Sequence, residues 1–284
     1  MSPGVPDRQS LNRLSMSEAS YLALLIGALT TAVCSLTLIR FAPGLGLLDR
    51  PGGRKQHGRP TPVVGGLAMA LGLLASWNLS ASSIPVLSWQ LGFLAFVLLG
   101  AVDDRLHLQA GSKFLFQAFV AAAVIVASGL GLPSLGEVLP GWAPSLGWLA
   151  VPFSVLAVAS VMNAVNMSDG VDGLAGSLML VAFAGLSGAC LLVDRPDTAV
   201  LGLVSGSVLL AFLGFNLRGL RGQPARLFMG DAGSLGMGFL LAVFSLKVAS
   251  PDTGVPPVVV LWFCLVPLAD GLSVIVSRLA RRSG

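Results

Sequence analysis

The chain has 284 residues, 55% of them hydrophobic and only 11% charged, with a mean hydropathy of +0.85. A soluble domain carries about 25% charged residues, so a water-soluble globular fold is excluded, and the chain reads as all-α, a polytopic integral membrane helical bundle. The net charge of +4 and the pI near 9.4 follow from one-sided basic loops and give no reason to expect a nucleic-acid partner.

Residues 1–18 are polar and predict a flexible N-terminal segment, followed by a single transmembrane domain over 19–284. A spanning helix needs about 20 apolar residues. The apolar runs predict spans at 19–41, 62–80, 89–102, 112–131, 146–164, 173–193, 198–216, 233–249 and 256–277, about nine helices. The run ending at Val102 is short and is expected to begin earlier. The first run is too long for a signal-peptide core and no small-residue cleavage site follows it, so it is expected to stay. Cys34, Cys190 and Cys264 lie in spans without paired spacing and read as small hydrophobes.

Loop parity sets orientation. The odd-numbered loops and the tail carry 13 of the 17 Lys and Arg residues, from Arg40 to Arg282. The positive-inside rule makes that side cytoplasmic. Five aspartates fall on the same side: Asp103, Asp104, Asp169, Asp172 and Asp231. Acids beside hydrocarbon are expensive and are generally kept for function. Clustered, they repel unless a cation joins them, which points to a divalent metal and a phosphate.

Four stretches carry the chemistry, in chain order. The loop from Asp49 through Arg54, Lys55, His57 and Arg59 leads into Pro62-x-x-Gly65-Gly66. Its charges suit membrane anchoring as well as a diphosphate. Next, Asp103 and Asp104 close span three. Neighbours on a helix point about 100° apart, so one carboxylate can meet a metal while the other faces a substrate. Third is Asn163-x-x-Asn166-x-x-Asp169-Gly170-x-Asp172-Gly173. The asparagines end span five, the rest is a tight turn, and Asp172 is expected to cap span six. Last, Phe228-Met-Gly-Asp231-Ala-Gly-Ser234 opens span eight. A helix amino terminus with small residues suits a phosphate, and Asp231 suits Mg²⁺ bridging to it. Asp270, a lone acid in span nine, reads equally as structural or as a neighbour of the site. The two histidines and three cysteines have no zinc spacing.

Together these motifs resemble the polyprenyl-phosphate N-acetylhexosamine-1-phosphate transferases of glycosyltransferase family 4, from about Asp49 to Asp270 in matching order. The resemblance implies an Mg²⁺-dependent transfer, with Mn²⁺ as a substitute ion. A UDP-N-acetylhexosamine, foremost the N-acetylglucosamine compound, would give its sugar 1-phosphate to undecaprenyl phosphate and release UMP. Such a step initiates a cell-surface polysaccharide. By resemblance, Asp103, Asp104, Asp169 and Asp172 are catalytic, and Asp231 with Asp104 holds the metal. Lys55, Arg59, Asn163, Asn166, Gly170 and Phe228 contact substrate, Phe228 by stacking on uracil. The expected location is the inner membrane, multi-pass, with the site cytoplasmic and membrane lipids and a second copy in a homodimer as partners. The muramoyl-pentapeptide branch has Tyr and Lys after its acidic pair, whereas this chain has Arg105-Leu106-His107-Leu108, which favours the N-acetylglucosamine branch.

Two departures stand against the resemblance. Family members carry a histidine-rich loop and further helices after the Pro-Leu-x-Asp span, and the chain is expected to lack them. Extra Gly and Arg residues separate Asn216 from Pro224, so Asn216 is not assigned a nucleotide contact. The alternatives are a transporter or flippase coupled through intramembrane acids, or a catalytically inactive family member.

Overall fold

A computed structural model describes residues 16–49, 60–79, 86–217 and 224–282. Nine α-helices lie among the described residues: α1 Glu18–Leu45, α2 Gly65–Trp77, α3 Val86–Leu106, α4 Ala110–Ser128, α5 Ala150–Ser168, α6 Leu174–Leu192, α7 Pro196–Asn216, α8 Gly230–Val248 and α9 Pro257–Arg282. Two short strands, β1 Leu48–Asp49 and β2 Thr61–Pro62, pair antiparallel. Seven helices, α1 and α3 to α8, are long and apolar enough to cross a membrane. The chain is therefore a polytopic helical membrane protein.

The expected spans and the helices agree closely, and the differences have local causes. The third span does begin earlier, at Val86, and it also runs on to Leu106. Asp103 and Asp104 thus lie within its last helical turn. The second is shorter than expected, 13 residues from Gly65 to Trp77, or about 20 Å of helix. Pro62 pairs in β2, and Asn78 ends the helix.

Helix ends follow the residues that permit them. Ser17 caps α1, its hydroxyl accepting from the Ser20 N–H at 3.2 Å. Gly46 closes it in the left-handed conformation, φ 70°. The Arg105 guanidinium donates to the Leu45 carbonyl at 2.9 Å, placing a cation at the negative end of a helix. Pro196 opens α7, where a missing N–H costs nothing.

The bundle is built around α8. Of its apolar window 89% is buried, against 22% for α1 and for α4, so α8 is the core and the other two face lipid. Leu25, Leu29 and Val33 on α1 and Leu115, Phe119 and Val126 on α4 are exposed accordingly. A bilayer, unlike water, accepts such a belt. Helices crowd α8 because its small residues let backbones touch. A Cβ on Gly66 would lie 2.2 Å from the Gly233 N, and one on Gly100 would lie 2.2 Å from the Asp231 carbonyl oxygen.

Candidate active site

One end of the bundle gathers Asp103, Asp104, Asp169, Asp172 and Asp231 with Lys113 and Asn166. Chain reversals there join α3 to α4, α5 to α6 and α7 to α8, and α9 runs toward it.

Gly100 decides the first contact. It sits one helical turn before Asp104, and without a Cβ it lets α3 press on the opening turn of α8. The Asp104 carboxylate then accepts the backbone N–H groups of Asp231 at 3.0 Å and Ala232 at 3.3 Å. These are unpaired donors of a helix start. The anion position expected for a phosphate at this terminus is therefore filled by the chain's own Asp104. The small residues around Asp231 serve helix packing.

Asp103 points elsewhere, as neighbouring helix positions must. It accepts the Leu108 N–H at 2.7 Å and contacts the Lys113 ammonium. Lys113, from the first turn of α4, also reaches Asp231 Oδ2 at 3.0 Å. The other oxygen of Asp231 accepts from Asn166 Nδ2 at 2.9 Å, and the same amide reaches Ser234 Oγ at 2.8 Å. Three helices, α4, α5 and α8, thus meet at one carboxylate, and α3 joins them through Asp104 and the Asp231 backbone. Asn163 lies one turn deeper and donates to Gln117 Oε1 at 2.8 Å and to the Ala159 carbonyl at 2.7 Å.

The turn between α5 and α6 sits beside this cluster. Asp169 ends α5. Burial, then the charges of Asp231, Asp104 and Asp172, push its carboxyl well above the usual carboxylate range. Asp172 is half-buried, and Gly170 is exposed. Asp172 does not cap α6: the cap position falls to Gly173 at φ 78°, where no side-chain oxygen caps the helix. The left-handed backbone required there suits glycine.

Asn216 holds that turn in place. Its Oδ1 accepts the Gly173 N–H and its Nδ2 donates to the Leu227 carbonyl, both at 2.9 Å. One buried amide therefore ties the Asp169–Asp172 turn to the segment ahead of Asp231. Asn216→Ala is expected to cost about 2–4 kcal/mol, since it orphans two buried backbone groups. Thermal unfolding in detergent checks it, and unchanged stability would show that the amide does not hold the turn.

The Pro62-x-x-Gly65-Gly66 stretch also acquires a structural role. Phe228 N–H donates to the Pro62 carbonyl at 2.8 Å, and the Gly65 and Gly66 N–H groups donate to Phe228 and Met229 at 2.9 Å. The stretch is a backbone seat for the residues leading to Asp231. Phe228 itself is half-buried. Asp270 accepts from Ser168 Oγ at 2.9 Å and so joins α9 to the end of α5.

Of the residues singled out in the sequence, the structure brings together Asp103, Asp104, Asn166, Asp169 and Asp231, with Asp172, Gly170 and Phe228 on the flanking turns. Asn163 supports them from below. Lys55 and Arg59 lie outside the described residues. Lys113, Gln117 and Ser234 were missed. Lys113 had a signal: a lone charge heading an apolar span on the side of the aspartates.

Among the described residues no three His, Cys, Asp or Glu side chains form a ready metal cage. The donor chemistry nevertheless fits a hard divalent cation. Every ligand on offer is oxygen, and Mg²⁺ takes one or two carboxylates and completes its shell with phosphate oxygens and water. Charge agrees: among the described residues the carboxylates of Asp103, Asp104 and Asp231 gather around the single ammonium of Lys113.

A family model described as glycosyl transferase family 4 matches residues 86–249, which contain the whole cluster. The undecaprenyl-phosphate alpha-N-acetylglucosaminyl 1-phosphate transferase of Escherichia coli (strain K12) is 32% identical over 246 residues, 85% of this chain and 66% of that protein. The protein of the same name from Salmonella typhi is 33% identical over 241 residues, 84% and 65% of the two chains. A Bacillus subtilis (strain 168) protein named probable undecaprenyl-phosphate N-acetylglucosaminyl 1-phosphate transferase is 31% identical over 266 residues, 92% and 72%. The chain spans just under two thirds of the length of the enterobacterial relatives it matches.

Proposed function

This chain belongs to glycosyl transferase family 4, and on that premise we propose that it transfers an N-acetylhexosamine 1-phosphate, foremost N-acetylglucosamine 1-phosphate, from a UDP-sugar to undecaprenyl phosphate. The observation that carries this reading is the junction at Asp231: Lys113 and Asn166 converge on it, and Asp103 and Asp104 flank it, at one end of an apolar bundle. The names of the relatives support the lipid acceptor and the sugar phosphate. Acids coupled to transport tend to lie near the midplane, whereas these sit in the last turn of α3 and the first of α8, which favours transfer over transport.

In the proposed reaction an oxygen of the lipid phosphate attacks the β-phosphorus of the UDP-sugar. The bond from that phosphorus to the bridging oxygen breaks, and UMP leaves with the electron pair. Asp231 would hold the Mg²⁺, with Asp104 alongside through the lone pairs its two backbone bonds leave free. When bound, the ion supplies charge neutralisation on the diphosphate. Asp104 fixes the backbone of Asp231, and Asn166 fixes its side chain. Asp103 and Lys113 would meet the acceptor phosphate, where the ammonium would offset anionic charge. A phosphate nucleophile is ionised near pH 7, so Asp103 orients it and need not remove a proton. The turn at Asp169–Asp172 and the Phe228 ring flank the nucleotide. The basic end of the bundle, with Arg40, Arg105 and Arg226, would face the cytoplasm.

The test is UMP release from UDP-N-acetylglucosamine by the detergent-solubilised chain, with and without undecaprenyl phosphate and Mg²⁺. Release that needs both is expected. Lipid-independent or metal-independent release would sink the mechanism. Release only from another UDP-N-acetyl sugar would correct the donor.

A further inference from the structure

The Lys113 ammonium joins carboxylates from two helices, Asp103 on α3 and Asp231 on α8, the latter at 3.0 Å from Oδ2. The three side chains are 17%, 9% and 32% exposed, open enough for an ion to reach and shielded enough for charge to matter. Asp231 Oδ1 is committed to Asn166, so Oδ2 is the oxygen free to change partner. A lysine is a flexible point charge on a four-carbon stem and can leave one carboxylate while keeping another. Two cations close to Oδ2 would repel each other.

We infer that Lys113 is a built-in stand-in for the divalent metal: it occupies Asp231 Oδ2 in the substrate-free protein, and a metal ion must displace it. This rests on the proposed reading of the cluster as a divalent site. The stand-in keeps the carboxylates of Asp103 and Asp231 from repelling one another before substrate arrives. It also makes free metal a poor ligand. A metal already carried by a nucleotide diphosphate is a better one, because the phosphates offer the displaced ammonium a new anionic partner.

The experiment is Mn²⁺ binding to the full detergent-solubilised chain without nucleotide or lipid, read from the electron paramagnetic resonance signal of free Mn²⁺. Lys113→Met is expected to bind Mn²⁺ about tenfold or more tightly than wild type, the direction Coulomb repulsion requires. Lys113→Arg keeps a cation and should match wild type. Adding Asp231→Asn to Lys113→Met should erase the gain. Equal or weaker binding by Lys113→Met would overturn the inference. If that variant needs metal to stay folded, its melting temperature will climb with added Mn²⁺ more steeply than that of wild type; a climb no steeper overturns the inference as well. Mg²⁺-dependent UMP release by wild type, combined with unchanged Mn²⁺ affinity in Lys113→Met, removes only the stand-in role. Release indifferent to divalent ions removes the metal reading beneath it.

Discussion

Asp231→Asn is expected to lower turnover by a factor of about a thousand or more, the upper range for losing one preorganised electrostatic group, while the protein stays folded in the membrane. The Asp231 side chain joins α4, α5 and α8, through Lys113, Asn166 and its own helix. The substitution preserves shape and removes the charge. Lys113 keeps Asp103 as its partner, so no buried cation is stranded and the cost in stability stays small. UMP release measures the activity, and size-exclusion chromatography in detergent measures the fold. Wild-type turnover in the variant would remove Asp231 from the metal site.

Gly100→Ala is expected to be nearly as damaging to turnover, about a hundredfold, though it adds a single methyl group with no chemistry. The new Cβ would fall 2.2 Å from the Asp231 carbonyl oxygen and 2.3 Å from the Ala232 nitrogen. Those are backbone atoms of the central helix and cannot rotate away. Overpacking of this kind costs about 1–3 kcal/mol. Relief comes from sliding α3 off α8, which breaks the hydrogen bonds from Asp231 and Ala232 to Asp104. Misplacing reacting groups by about 1 Å costs on the order of 100-fold in rate. Gly188→Ala and Gly214→Ala are the controls: both glycines are helical with open space where a Cβ would go, so both variants should turn over like wild type. Equal rates for Gly100→Ala would show that α3 does not position α8.

These two residues mark what could be read from the sequence. An aspartate at the head of an apolar run is visible one-dimensionally, because hydrocarbon makes every charge conspicuous. The same contrast revealed the nine helices, and helix periodicity the different directions of Asp103 and Asp104. Gly100 is one of 35 glycines, and nothing in its neighbours tells a glycine that touches another backbone from one that faces lipid. Asn216 was set aside because extra residues separate it from Phe228. The contact that matters is instead with Gly173 and Leu227, the first of them 43 residues away along the chain.

The sequence by itself determined the class of molecule and singled out most of the acids that the fold gathers at one end of the bundle, since burial cost and periodicity act locally. Only the tertiary structure decided which partner each acid takes. It gave Asp104 to the amino terminus of α8, where a phosphate had been expected, and the cap of α6 to Gly173 in place of Asp172. It set Lys113 between Asp103 and Asp231. Those assignments depend on how closely helices approach, and that is fixed by small residues meeting across helices far apart in the chain.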